Sequence, residues 1–444
     1  MKNLFQEKNI GVFGFGVEGR SLVKYLLSHD AQNIIVFDEK QKDELVVNNY
    51  EKVKFIFGEF NRNDYSKIDI AYRSPGVEVD RLKSVLPENV EISSPTNLFF
   101  ETHKGKIIAI TGTKGKSTTA LLITKILELN NKNVFTGGNI GSAALDFVDQ
   151  IDDDSYSVLE LSSFQICDLK YSPDVAVILP ILSDHLDHHK NEGEYFSAKM
   201  NLTNFMQSGD FIISYDDPNI KLFVEKIEAR KLYFSEDRKT SDCHLEEELI
   251  CSKNDQKMKV EKIKDLSQEK KIPEIDLIAA AAFSFALDLK CDLTEVLHDF
   301  KKMPYRIEFV GQKNGLNFFN DSAATNPIST IEAIKTMVDP FALILGGSSK
   351  NLKFNDLAKA IKENKLIRLI YLSGETANEI EKELSRIGLQ TLIKKCSSLQ
   401  EIFFNLKNQN NFSAVLFSPA CASFDQFSNY AERGQGFNNL FQKF

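Results

Sequence analysis

The sequence predicts an α/β protein with parallel sheets, and three observations carry that expectation. Short apolar runs rich in β-branched and aromatic residues end in glycine at Asn9-Ile-Gly-Val-Phe-Gly-Phe-Gly, Ile107-Ile-Ala-Ile-Thr-Gly and Phe341-Ala-Leu-Ile-Leu-Gly-Gly. Each has the length and uniform hydrophobicity of a strand buried on both faces that turns into a loop. Amphipathic segments such as Ser21 to Ser28, Ala120 to Leu129 and Asn355 to Ile361 fall between them, so strands and helices alternate. At 444 residues the chain is long enough for two or three cores.

Boundaries are expected near Ser93-Ser94-Pro95-Thr96 and near Lys302-Met303-Pro304, where proline interrupts the periodicity. They divide the chain into 1–96, 97–303 and 304–444. From Cys251 to Lys271 lysines alternate with acids, the pattern of a solvated hairpin or helix face. A net charge of −9 and a pI near 5.5 argue against a large nucleic-acid footprint. The six cysteines, Cys167, Cys243, Cys251, Cys291, Cys396 and Cys421, form no CxxC pair and read as reduced core thiols. No apolar h-region precedes a small-residue cleavage site, and no run of about 18 apolar residues occurs, so a cytoplasmic protein without membrane insertion is expected.

In the first run, Gly14-Phe-Gly16-Val-Glu-Gly19 fits GxGxxG after a strand, and Asp38 closes the next apolar run, Ile34-Ile-Val-Phe. NAD, a uridine diphosphate, or a packing turn without ligand all suit this pattern, and the residues leave the three open. The second run leads into Thr111 to Thr119, TGTKGKSTT. A glycine-rich turn between strand and helix aims backbone N–H groups and the positive helix pole at an anion. Gly112, Thr113, Lys114, Gly115, Lys116, Ser117 and Thr118 are therefore the expected ATP-phosphate loop, with Lys116 on the terminal phosphates and the Ser117 hydroxyl on Mg²⁺. The loop is short, because the general form places a glycine where Ile110 stands.

Downstream, Val158-Leu-Glu160 carries one carboxylate at a strand end, suited to Mg²⁺ or else a surface glutamate. A further run, Val175-Ala-Val-Ile-Leu, leads to Ser183-Asp184-His185-Leu-Asp187-His188-His189. Zinc is a weaker reading there than a single His185 on Mg²⁺, with His188 and His189 on the rim. Lys199, in Tyr195-Phe-Ser-Ala-Lys199-Met, is either a surface lysine or an anionic carbamate that supports Mg²⁺. Its residue type alone favours the surface.

TGTKGKST, Gly137 to Gly141 (GGNIG), ELSSFQ, SDHLDHH, SAKMNL, MPYR, NDSAATN and SPACASFDQF occur in this order along nearly the whole chain. With GxGxxG and Ser74-Pro75-Gly76, they resemble the Mur ligase superfamily, and within it the MurD family. The resemblance implies a Rossmann-like N-terminal UDP-sugar domain, a central ATPase-type domain and a Rossmann-like C-terminal amino-acid domain. It implies an ATP-dependent, amide-forming ligase of peptidoglycan precursor synthesis, acting as a monomer on UDP-N-acetylmuramoyl-L-alanine and D-glutamate with two Mg²⁺ ions. By motif, Val17, Glu18, Asp38, Glu39, Lys40, Ser74 and Gly76 line the uridine and diphosphate pocket, and Asn139 meets the UDP-sugar. Lys116, Ser117 and Thr118 hold the ATP phosphates, Glu160 and His185 the Mg²⁺ ions, and Lys199 is the carbamylated lysine. Arg306 and Asp321 lie near the ATP ribose and phosphate, and Asp276 near the adenine. Thr325, Lys350, Ser423 and Tyr430 bind D-glutamate.

Two departures stand out. Ala323 replaces the lysine of the family's DSKATN, and Ile272-Pro273-Glu-Ile-Asp276 stands where the family has HNxxN. They keep in view a nucleotide-binding regulator that has lost catalysis. The runner-up enzymes are a Mur-type ligase adding another amino acid and a folylpolyglutamate synthetase relative, the latter opposed by SPACASFDQF and the N-terminal glycine turn. An NAD dehydrogenase would rest on GxGxxG alone.

Overall fold

The computed structural model describes residues 5–444 except 6, 40–49, 61–64, 183–190, 238, 254, 255, 261, 271, 299, 301–303, 349–351, 390, 408–410 and 428. The chain forms two compact units, Met1–Phe300 and Lys301–Phe444. The division falls beside the expected break at Met303-Pro304.

In the first unit, β1 (Asn9–Phe13), β2 (Asn33–Asp38), β3 (Val53–Phe57), β4 (Ile70–Arg73) and β5 (Glu91–Ser93) form one sheet in the order β3-β2-β1-β4-β5. Every pairing is parallel. The order reverses between β1 and β4, and the crevice beyond the carboxyl ends at such a point is where open α/β sheets bind ligands. Gly14, Asp38 and Ser74 emerge there.

The second sheet comprises β6 (Lys106–Thr111), β7 (Val134–Gly138), β8 (Tyr156–Glu160), β9 (Val175–Ile178), β10 (Phe211–Tyr215), β11 (Arg230–Ser235), β12 (Cys243–Leu245), β13 (Leu249–Lys253) and β14 (Gln256–Val260). Their order is β14-β13-β12-β11-β10-β9-β6-β8-β7, parallel from β7 through β12 with an antiparallel meander at β12 to β14. The central strands β6 and β9 are buried almost throughout, as their uniform hydrophobicity requires. The alternating-charge stretch forms β14 and the helix Ile263–Lys270, with Lys257 and Lys259 in solvent and Val260, Ile263 and Leu266 anchoring it.

One continuous core joins the two sheets, running from Val12, Leu22 and Leu98 to Ile107, Leu159 and Ile178. The stretch expected to be a boundary is tied into this core. Ser93 to Thr96 are buried, and the Ser94 side chain caps the helix Pro95–Thr102 by accepting from the Asn97 N–H.

The second unit holds β15 (Glu308–Lys313), β16 (Leu316–Asn320), β17 (Phe341–Leu345), β18 (Ile367–Leu372), β19 (Leu392–Lys395) and β20 (Ala414–Phe417), in the order β15-β16-β20-β17-β18-β19. Only the edge pair β15 and β16 is antiparallel. Insertion of the last strand between β16 and β17 brings three segments distant in sequence to one sheet end: Asp321-Ser322, Gly346-Gly347 and Ser418 to Ser423.

The reading of all six cysteines as reduced core thiols is corrected. Cys243 and Cys251 are register partners across β12 and β13 and form a disulfide. An antiparallel hairpin sets residues eight apart face to face, which a search for CxxC does not detect. Cys167 is exposed rather than in a core.

Candidate active site

The phosphate loop follows β6 as expected and opens the helix Lys116–Leu129. Gly115 caps that helix at φ +83° with no side-chain cap, and a helix N-terminus of this kind suits an anion. A side chain at Gly115 would strike the carboxylate of Asp276. Asp276 is buried in the first turn of the helix Glu274–Ala286, which packs along the loop's own helix. Lys116 Nζ donates to the carbonyls of Gly112 (3.1 Å) and Thr113 (2.9 Å). Lys114 is exposed, and Thr118 is half-buried.

Parallel pairing places Glu160, the last residue of β8, beside Ile110 of β6 and Gly138 of β7. Its side chain is buried, so the surface-glutamate alternative is excluded. Ser117 Oγ donates to Glu160 Oε2 (2.5 Å) and Asn139 Nδ2 to Oε1 (2.9 Å), while the Asn139 N–H binds the Glu160 carbonyl (2.8 Å). Asn139, expected on the UDP-sugar, thus orients the carboxylate. Ser117 and Glu160 form an all-oxygen donor set at a helix N-terminus, which suits Mg²⁺. Among the described residues there is no cluster of three or more His, Cys, Asp or Glu side chains to hold a metal ion.

Lys199 is the main correction to the reading from residue type. It is 2% exposed; its Nζ donates to the Gly112 carbonyl (2.8 Å) and lies 4.7 Å from the centroid of the Tyr195 ring. Tyr195, Ala198 and Lys199 share the inward face of the helix Glu192–Met200, while Glu192, Glu194 and Ser197 face water. The Tyr195 hydroxyl lies 3.2 Å from Thr113 Oγ1, which also donates to the Leu182 carbonyl (3.0 Å). Lysine, tyrosine and loop therefore form one packed group. His185, His188 and His189 lie outside the described residues, as do Lys40 and Lys350.

At the carboxyl end of the first sheet, Asp38 Oδ2 accepts the N–H of Phe15 inside the glycine turn (2.7 Å), and Ser74 Oγ donates to the Gly14 carbonyl (2.7 Å). A Cβ at Gly19 would collide with that carbonyl, which is why the third glycine is needed. Val17 begins the helix Val17–Ser28 with 61% of its surface exposed. Glu39 pairs with Arg81, and among the described residues none crowds Gly76.

Glu18 faces inward and accepts from Gln165 Nε2 (2.5 Å), whose carbonyl oxygen is held by the N–H (2.8 Å) and hydroxyl (2.9 Å) of Ser162. Burial pushes the Glu18 carboxyl up to about 7, against the Gln165 hydrogen bond and the Arg73 charge. A carboxyl raised on folding contributes stability that is complete below its unfolded value and lost as pH rises through the folded one. Glu18→Gln is therefore expected to unfold roughly 2–4 °C above the unsubstituted protein at about pH 8.5. Melting curves should converge below about pH 4.5, and a gap that persists in acid would exclude this origin.

In the second unit, Asp321 follows β16 and is buried, with Oδ2 accepting from Ser418 Oγ (2.6 Å) and Oδ1 from the Ile307 N–H (3.2 Å). Burial pushes its carboxyl up to about 7. Ser423 is buried, Tyr430 opens the helix Tyr430–Lys443, Thr325 is half-buried and Arg306 exposed. Sequence reasoning missed Arg433. It is buried and donates to Ser322 Oγ (3.0 Å), the Ser322 carbonyl (2.8 Å) and the Ala422 carbonyl (3.1 Å), tying the segment after β16 to the segment after β20. Gln165 and Arg73 were missed in the first unit, although Gln165 sits inside the quoted ELSSFQ.

Residues 8–93 match the family model of the Mur ligase MurD-like N-terminal domain, and residues 110–320 match the Mur ligase middle domain. The chain is 32% identical to the UDP-N-acetylmuramoylalanine–D-glutamate ligase of Acetivibrio thermocellus, over 99% of this chain and 97% of that protein. It is 33% identical to the protein of the same name from Lachnospira eligens, over 98% of each. Among solved structures it is similar to the UDP-N-acetylmuramate-alanine ligase MurC of Thermotoga maritima, with a TM-score of 0.58 at 17% identity over 98% of this chain and 100% of that one. It is also similar to the MurF ligase of the same organism in complex with ADP, with a TM-score of 0.55 at 17% identity over 100% and 96%. These two show the fold. With the phosphate loop, its buried Glu160 and Lys199, and relatives matched from end to end, the chain belongs to the Mur ligases, in the MurD family of UDP-N-acetylmuramoylalanine–D-glutamate ligases.

Proposed function

We propose that the chain joins D-glutamate to UDP-N-acetylmuramoyl-L-alanine at the expense of ATP, a step of peptidoglycan precursor synthesis. The observation that carries this reading is the Ser117 to Glu160 contact at the mouth of the glycine-rich loop, an all-oxygen donor pair suited to Mg²⁺ inside a chain that matches such ligases throughout. The division into a UDP-sugar domain (1–96), an ATP domain (97–303) and an amino-acid domain (304–444) is part of the proposal, as is action as a cytoplasmic monomer.

A carboxylate is a poor electrophile with a poor leaving group, so amide formation needs activation. The substrate carboxylate attacks the γ-phosphorus of ATP, the bond to ADP breaks, and an acyl phosphate forms. Lys116 leaves the Gly112 and Thr113 carbonyls to follow the charge on the transferred group, and the loop N–H groups hold the phosphates. The neutral amine of D-glutamate then attacks the activated carbonyl, and the tetrahedral adduct expels phosphate while its nitrogen gives up a proton to the phosphate or to water, leaving the amide. Ser117 and Glu160 would hold Mg²⁺, with His185 as a further ligand by family resemblance; when bound, the ion neutralises phosphate charge.

Lys199 completes the proposal as a carbamate: its neutral amine takes up CO₂ and releases a proton, turning a buried cation into an oxygen-bearing anion next to the loop. In the second unit, Thr325, Ser423, Tyr430 and Lys350 receive D-glutamate, and Asp321 and Arg306 face the nucleotide. The acyl phosphate gives the test. With ATP, Mg²⁺, the UDP-sugar and hydroxylamine, but no D-glutamate, a hydroxamate of the sugar nucleotide is expected. Active ligase that yields none under these conditions would contradict this route.

A further inference from the structure

Arg73, the last residue of β4, is one of the most deeply buried large side chains, at 1% exposure. Its guanidinium has acceptors for all five N–H groups. Nε donates to Asp168 Oδ2 (2.6 Å), and Nη2 to Asp168 Oδ1, the Phe164 carbonyl (2.7 Å) and Cys167 Sγ (3.1 Å). Nη1 donates to the carbonyls of Val77 (3.2 Å) and Pro75 (3.5 Å). The first set belongs to the segment after β8, the second to the loop Ser74 to Val77 at the end of the first sheet.

The two sides differ in role. Pro75 and Val77 flank Gly76, in the loop that meets the sugar nucleotide if the proposed function holds, and this inference rests on that reading. Phe164 and Asp168 lie just beyond Glu160, and the helix Ser163–Ile166, which contains Phe164, is fixed by a reciprocal Ser162 and Gln165 cap. Asn97 reinforces the joint, donating to the Asp168 carbonyl (3.0 Å) and accepting from the Lys170 N–H (2.8 Å). Gln165 in turn donates to Glu18. One bidentate side chain thus ties the Ser74 to Val77 loop to the segment Phe164 to Asp168, which follows Glu160 in the chain.

We propose that Arg73 is a positioning residue that sets the approach of the substrate carboxylate to the ATP γ-phosphate, acting through the Pro75 and Val77 carbonyls on one side and the segment Phe164 to Asp168 on the other. A misplacement of about 1 Å in a reacting pair costs on the order of 100-fold in rate. ATP binding is expected to hold, because among the described residues the hydrogen bonds of Arg73 go to the Ser74 to Val77 loop and to Phe164, Cys167 and Asp168.

Two variants test this. Arg73→Lys keeps a charge beside Asp168, but an ammonium cannot hold Asp168 and both loop carbonyls together. The double variant Arg73→Met, Asp168→Leu replaces the pair with apolar groups, so no buried charge is left unpaired. In folded samples of either, kcat should fall about 10- to 100-fold and KM for the UDP-sugar should rise, while KM for ATP stays unchanged. The unsubstituted enzyme, assayed alongside, separates the two claims: its inactivity would count against the proposed function rather than against Arg73. With it active, unchanged kcat in either folded variant overturns the proposal. So does a fall that only follows the folded fraction, with every KM unchanged.

Discussion

Lys116→Ala is expected to reduce ADP formation at least about 1,000-fold, the scale on which loss of a cation from a transferring phosphoryl group is felt. The side chain is half-exposed and its ammonium lies on two loop carbonyls. Truncation therefore leaves no buried charge, and the melting temperature should hold. A coupled ADP assay on folded variant decides the matter, and substantial residual turnover would remove the phosphate loop from the chemistry. The glycine turn would then be only a packing device between β6 and its helix.

Lys199→Ala should be nearly as damaging, for another reason. Its ammonium donates to the Gly112 carbonyl and lies against the Tyr195 ring, so loss of a merely structural cation would cost packing and leave a cavity. A carbamate would supply anionic oxygens to the metal site, and deletion would take those oxygens away. Activity should drop by on the order of 100-fold or more and return in part when short carboxylic acids such as formate or acetate are added. Activity like that of the unsubstituted enzyme, or a folded variant that no carboxylic acid restores, would reject the carbamate.

These two lysines also mark how far the sequence carries. Lys116 is legible because a strand buried on both faces is uniformly apolar, so Ile107 to Ile110 announces β6, and the glycines and GKS that follow can only be a turn into a helix. Lys199 is not legible from its residue type. Its burial depends on the Gly112 carbonyl, 87 residues away, and on the Tyr195 ring one turn earlier. The inward spacing of Tyr195 and Ala198 is visible, but lysine's polarity argues the other way. Arg73 to Asp168 spans 95 residues and leaves no local signature. Cys243 and Cys251 become partners only once the register of β12 and β13 is set. Glu160 lies between: its place at a strand end is readable, whereas its burial follows from Ser117 and Asn139 converging on it.

The departures from the family pattern carry different weights. Asp276 stands where the HNxxN motif would end, and it packs directly against Gly115, so the altered motif still supplies a side chain that braces the loop. Ala323 supplies no cation. Arg433, fixed to the adjacent Ser322, is a buried cation at that sheet end, but its hydrogen bonds serve the fold of the two segments it joins.

The central claim, that this chain is an amide ligase selective for D-glutamate, is tested most directly by phosphate release. The purified chain is supplied with ATP, Mg²⁺, UDP-N-acetylmuramoyl-L-alanine and one amino acid at a time from a panel that includes D-glutamate, L-glutamate, L-alanine and meso-diaminopimelate. Release that depends on both the UDP-sugar and D-glutamate, with the ligated product formed in equal amount, is the expected result. Nucleotide binding without release, or release driven equally well by another amino acid, would contradict it.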